Sequence, residues 1–242
     1  MLLWPHWLAL VVIVPLAGSV MTPAIARGSG KLAARWALGV MAATLGIALM
    51  LILRVADEGP FSYWFGGWEP PYGIEFRFDE FSAFAGVIAF LGLLAVIFSQ
   101  RYAEHALAPR RIPYYYTLLM LNLTGMIGFC VTGDLFNTFV FMEILSLSGY
   151  ALVAISGEKT AEMAAFKYLV LGAVSSLVVL FSIGMLYALT GSLNMADISV
   201  QLSKGVATLP LMVSLSAMTL GYMVKAAVFP LPVCAQPRRS CP

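Results

Sequence analysis

The sequence predicts an all-α integral membrane protein of about seven transmembrane helices, and three observations carry that expectation. Hydrophobic residues make up 61% of the 242-residue chain and charged ones 11%, with a mean hydropathy of +0.90, which leaves too little polar surface to clothe a soluble globule of this size. Apolar runs long enough to cross a bilayer, which takes roughly 20 residues, recur along the whole chain. The basic residues fall in alternate connections between those runs, as short cytoplasmic loops require.

The runs are Leu2–Ala26, Trp36–Leu53, Phe81–Phe98, Ile112–Gly133, Leu135–Ser156, Tyr168–Leu189 and Gly205–Phe229, the last interrupted near its end. The first carries no charged residue and no cationic leader and is as long as a span, so it is expected to be a helix and not a cleaved signal. Arg27, Lys31 and Arg35 separate runs one and two, Arg101, Arg110 and Arg111 runs three and four, and Lys159 and Lys167 runs five and six. The other connections are acidic: Asp57, Glu58, Glu69, Glu75, Asp79 and Glu80 against Arg77, then Asp134, then Asp197 with Lys204. This asymmetry predicts a multi-pass protein of the cytoplasmic membrane with its N-terminus outside.

The external segment 55–80 holds the aromatic, glycine and proline residues of Tyr63–Ile74, which suit an interfacial cap, a short hairpin or a plain aromatic belt. Leu193–Leu202, with Met195, Ile198 and Leu202 at helical spacing, predicts either an interfacial helix or connecting loop.

Charges inside the runs are costly, about 2.5 to 3.5 kcal/mol at a helix centre, and so point to function. Glu143 is the clearest. It lies eight residues into the fifth run, about 12 Å deep, between Phe139-Val140-Phe141 and Ile144-Leu145. Ser146 and Tyr150, three and seven residues on, give that helix one polar stripe. Lys225 is the second, followed by Ala226-Ala227-Val228-Phe229-Pro230, where the proline withholds an amide and breaks the helix. Transporters place ion sites at such breaks. Hydropathy alone leaves Lys225 either in the bundle or snorkelling to the inner face.

Lys167 opens the sixth run and is either an inner-face anchor or a third participant in proton translocation. In the same run Gly172, Ser175, Ser176 and Ser182 form a small, weakly polar face suited to close helix packing. Asp134 reads as the N-cap of the fifth helix. Burial disfavours the charged form of a carboxyl or an ammonium, and a nearby opposite charge restores it. A Glu and a Lys that approach and part can therefore pass a proton, which casts Lys225 as carrier and Glu143 as the charge that modulates it.

Other classes of function find no residues here. The sparse charges, net +2, offer no basic stripe for nucleic acid. Cys130, Cys234 and Cys241 are odd in number and lack CxxC spacing, and with only His6 and His105 beside them they give neither a disulfide framework nor a metal site. No glycine-rich dinucleotide turn or cysteine cluster is present, so no cofactor is expected in this chain.

The stretches Thr132–Ser146, Ala165–Leu169, Thr190–Asp197 and Val224–Leu231 resemble the antiporter-like subunits shared by multisubunit Na⁺/H⁺ (Mrp) antiporters and respiratory NADH:quinone oxidoreductase, most of all the D-type Mrp subunit. The resemblance implies the N-terminal half of a 14-helix inverted-repeat antiporter-like bundle. It implies three N-terminal helices over 1–111, an incomplete first repeat over 112–231, and a divergent proline-rich tail over 232–242. It implies that Glu143 and Lys225 are the charged couple of proton translocation, with the lysine mid-membrane on a broken helix, and that the partners are other membrane subunits, protons and Na⁺ or another monovalent cation. After Leu231 the chain departs from the family pattern, with four prolines in its last 13 residues, so a truncated or frame-shifted product is expected. Two alternatives stand beside the antiporter subunit: a proton-pumping subunit of NADH:quinone oxidoreductase or a related hydrogenase, and a non-transporting structural fragment.

Overall fold

The computed structural model describes residues 6–205 and 208–226. The proline break at Pro230, the tail over 232–242, Cys234 and Cys241 lie outside them. Eight helices and one hairpin are described: α1 (His6–Ala26), α2 (Gly30–Glu58), β1 (Phe61–Trp64), β2 (Glu75–Phe78), α3 (Phe84–Ala106), α4 (Ile112–Val131), α5 (Leu135–Ala154), α6 (Lys159–Thr190), α7 (Met195–Ser203) and α8 (Thr208–Lys225). Six of the helices are long and apolar enough to cross a membrane, one fewer than the seven runs counted in the sequence. The seventh run corresponds to α8, whose 18 described residues include Lys225 and a scatter of serines and threonines, and so fall short of the apolarity the others reach.

Four helices gather around α4. It packs on α1, α2, α3 and α5, while α6 packs on α5 and α8 extends the row by packing on α6. Hydrocarbon is as apolar as leucine, so close fitting between helices has to supply what the hydrophobic effect supplies in water. The α2 face accordingly buries Ala33, Ala34, Ala37 and Ala48. Where α4 meets α5, Gly125 lies on the backbone of Leu145: a Cβ there would stand 2.7 Å from the Leu145 nitrogen. Asn122 cements the same contact, donating from Nδ2 to the Leu145 carbonyl at 2.9 Å and to Ser148 Oγ at 3.2 Å. Large apolar residues such as Phe90, Phe98, Leu177 and Phe181 point outward, as a lipid-facing surface demands.

The aromatic segment between α2 and α3 forms a hairpin, β1 antiparallel to β2 with Phe61 opposite Phe78 and Trp64 opposite Glu75. Phe76 and Phe78 turn into the core, where the Phe76 ring sits 4.8 Å from Phe65 and 5.9 Å from Phe141. The hairpin is fastened to the α4–α5 turn by the Gly133 amide, which donates to the Glu75 carbonyl at 3.0 Å. Asn194 Nδ2 donates to the Glu75 carboxylate, and the Leu135 amide to the Leu193 carbonyl at 2.9 Å, so three connections meet at this end.

Helix ends follow local chemistry. Asp134 caps α5, accepting the Asn137 amide at 2.8 Å, as the sequence led us to expect. Asn194 caps α7 in the same way, through the amides of Ala196 and Asp197, so the segment from Met195 onward is helix while Leu193 and Asn194 belong to the connection. Gly191 ends α6 in the left-handed conformation, φ 72°, that glycine adopts without a steric penalty.

Gly125→Ala should part α4 from α5 and lower stability by about 1 to 3 kcal/mol, seen as an earlier thermal transition in detergent, whereas Gly39→Ala, where a Cβ meets open space, should leave it unchanged. Asp134→Ala should remove about 1 kcal/mol of capping, and faster amide exchange confined to the first turn of α5 is the expected readout.

Candidate functional site: a buried Glu–Lys pair

Glu143 projects from the middle of α5 toward α6 and α8. Its Oε1 stands 2.7 Å from Nζ of Lys225, the last residue of α8, and the same ammonium donates to Ser146 Oγ at 2.9 Å. The lysine side chain is only 9% exposed and the glutamate 27%, so the ammonium is held in the bundle and does not snorkel. Two of the three stripe residues, Glu143 and Ser146, thus converge on one cation. Tyr150, the third, is buried against α6, its ring edge-on to Tyr168 at 4.5 Å. A Cβ at Gly172 would fall on the Tyr150 hydroxyl, so the absent side chain there is what lets the tyrosine in.

Ser176 completes the group, and sequence reasoning missed it. Its hydroxyl lies 2.5 Å from Glu143 Oε1 and 2.8 Å from the Gly172 carbonyl. A serine has one hydrogen to give, so the carboxylate and the Gly172 carbonyl compete for it. The small face of α6 was expected to serve packing. It does so, and it also presents this hydroxyl to the buried acid. The signal was available in the pairing of one serine-bearing helix with one acid-bearing helix, but no spacing rule says which serine meets which acid.

Position comes from packing. Ser214 Oγ donates to the Ser182 carbonyl at 2.9 Å, and Gly221 brings α8 against Val179 and the Ser175 carbonyl. Toward the Leu135 end of α5 the pair is walled by Met142, Val179 and Ile183 with Phe139, Met218 and Tyr222 around them. The ion pair therefore sits against an apolar cluster, where Coulomb attraction is less screened than in water. One carboxylate oxygen, one ammonium and two hydroxyls within hydrogen-bond reach can hold a proton at more than one place.

The other charged candidates lie elsewhere. Lys167 is exposed on α6, nine residues before Ser176 and so about 13 Å along the axis, and it makes no hydrogen bond or ion pair among the described residues. Asp134 is buried at its cap. Burial pushes its carboxyl above the ordinary carboxylate range while the Asn137 and Phe136 amides pull it back.

Comparison with known proteins places these residues in a family. The profile of the family described as NADH:quinone oxidoreductase/Mrp antiporter, transmembrane, matches residues 132–233, which contain every member of the constellation. NADH-quinone oxidoreductase subunit N of Desulforudis audaxviator is 35% identical over 93% of this chain and 45% of its own length. The D-type subunit of the Na(+)/H(+) antiporter of Bacillus subtilis is 35% identical over 78% of this chain and 38% of its own. Among solved structures, a chain of the archaeal membrane-bound sulfane sulfur reductase superposes with a TM-score of 0.81 at 32% identity, covering 93% of this chain and 45% of that one. A chain of the Mrp complex from Dietzia sp. DQ12-45-1b gives 0.80 at 26% identity, over 96% and 42%. The chain spans less than half the length of these relatives. By its profile, its relatives and its fold, it belongs to the NADH:quinone oxidoreductase/Mrp antiporter membrane family.

Proposed function

We propose that this chain is a membrane subunit of a multisubunit monovalent cation/proton antiporter and that protons pass through Glu143 and Lys225. The observation that carries the reading is the 2.7 Å ion pair within the bundle, with Ser146 on the ammonium and Ser176 on the carboxylate. Lys225 is the carrier. While Glu143 is close, the lysine keeps its proton; as the two part, the uncompensated ammonium in a low dielectric gives the proton up. Ser176, with one hydrogen and two acceptors, is placed to follow that change.

In this reading residues 1–111 are three N-terminal helices with an external loop at 55–80, and 112–231 belong to a first antiporter-like repeat, with the divergent tail over 232–242 beyond it. The N-terminus faces outside a cell membrane, as the loop charges require. The partners are other membrane subunits, and the exchanged ion is Na⁺ or another monovalent cation. A second reading, a proton-pumping subunit of an NADH:quinone oxidoreductase or related hydrogenase, is favoured by the relative from Desulforudis audaxviator, which aligns with 93% of the chain at the same identity as the antiporter relative.

Everted vesicles from antiporter-deficient bacteria expressing the 242-residue chain test the proposal, with cation-driven collapse of an imposed pH gradient as the readout. Glu143→Gln and Lys225→Ala should each slow it at least tenfold, about 1.4 kcal/mol in barrier, and unchanged transport in both would sink the couple. Ser176→Ala removes one of two described donors to Glu143 and should slow it less. Lys167→Ala tests whether that exposed lysine takes a proton at all, and the smallest effect of the four is expected. Absence of transport by the unmodified chain would favour a non-transporting fragment.

A further inference from the structure

At the end of the bundle opposite the hairpin, a cavity of about 290 Å³ opens between α2, α3 and α4. Lys31 and Arg35 line it from the first turns of α2, Gln100 and Glu104 from the last turns of α3, and Tyr116 from the second turn of α4. Lys31 and Arg35 stand four residues apart, so both cations project from one face. Tyr116 is 1% exposed, and its hydroxyl, beside Ser99, makes no hydrogen bond of ordinary geometry, since the Ser99 hydroxyl is turned to the Val96 carbonyl. Such a group costs about 1 to 3 kcal/mol to bury unless something accepts from it or donates to it.

The cavity's own charge is net positive: Lys31 and Arg35 supply two cations, and Glu104 is the acid that lines it with them. Among the described residues Glu104 makes no ion pair with Lys31 or Arg35, so neither cation is neutralised by contact. The N-termini of α2 and α4 and the C-termini of α1 and α3 all lie at this end, so the helix dipoles largely offset one another and the positive charge comes from the side chains. One turn along α3 on the face of Gln100 and Glu104, Ile97 is 47% exposed, so an apolar side chain follows the polar ones on that face.

The geometry points to a binding site for a phosphate group, supplied by the headgroup of an anionic phospholipid whose acyl chain runs along Ile97. Arg35 and Lys31 take the phosphate oxygens, the arginine by its two-pronged fork, and the Tyr116 phenol and Gln100 amide donate to what remains. A basic pocket between helices at a membrane boundary is the setting in which such headgroups are recognised. This use of the chain is independent of the Glu143–Lys225 pair.

Native mass spectrometry of the full chain in detergent, titrated separately with phosphatidylglycerol, phosphatidylcholine and inorganic phosphate, tests the site. Phosphatidylglycerol should remain bound, with affinity lowered at least tenfold in Lys31→Gln/Arg35→Gln and severalfold in Tyr116→Phe. The charge-matched Arg27→Gln/Arg110→Gln should bind as the unmodified chain does. Tyr116→Phe keeps the buried ring, so a loss there is not a loss of fold. Equal losses in the two double variants would mean diffuse attraction and overturn the proposal, as would equal binding of phosphatidylcholine or no binding at all. Inorganic phosphate binding as tightly as phosphatidylglycerol would overturn the lipid as its source.

Discussion

Hydrocarbon offers no hydrogen bonds, and the rest of this structure depends on that constraint. A backbone in lipid must satisfy itself, which makes each crossing a helix. Any side chain with a polar group must then find its partner within the bundle. The hydroxyls of Thr22, Thr44 and Thr124 fold back onto carbonyls four residues earlier in their own helices. Asn122 reaches across to α5. Glu143 and Lys225 satisfy the same demand on a larger scale, since each charge makes the other tolerable where either alone would be expelled or neutralised. The pair is thus a structural contact between α5 and α8 as well as the centre of the proposed chemistry.

The hairpin end of the bundle is organised by a different device. Glu75 of the hairpin, Gly133 of the α4–α5 turn and Asn194 before α7 are joined by backbone and side-chain hydrogen bonds, so the segment between α2 and α3 is tied to the segment that leads into α8. The first three helices and the Lys225-bearing part of the chain are linked there without packing α8 on any of the three.

Much of this was legible in the sequence, because lipid imposes a coarse and strict grammar on it. Apolar runs gave the helices, Asp134 gave a cap, and the cost of burial singled out Glu143 and Lys225 before any geometry was known. Boundaries were less legible. α2 continues past Leu53 because Arg54 pairs with Glu58 one turn on and lies over the Phe61 ring, and α6 begins at Lys159, well before the apolar run does. Ser176 and Asn122 could not be assigned from periodicity, which tells which face a residue occupies but not what stands opposite. The Glu75–Asn194 contact joins residues 119 positions apart, and no local pattern encodes such a meeting.

The fit of Tyr150 against Gly172 has a historical corollary. With the tyrosine hydroxyl occupying the space a side chain would need, neither residue is free to drift by itself: a larger residue at 172 is admissible only after the tyrosine has shrunk or turned away. Across descendants of a common ancestor the two positions should change together or not at all, a paired inheritance about two turns along α5 from Glu143.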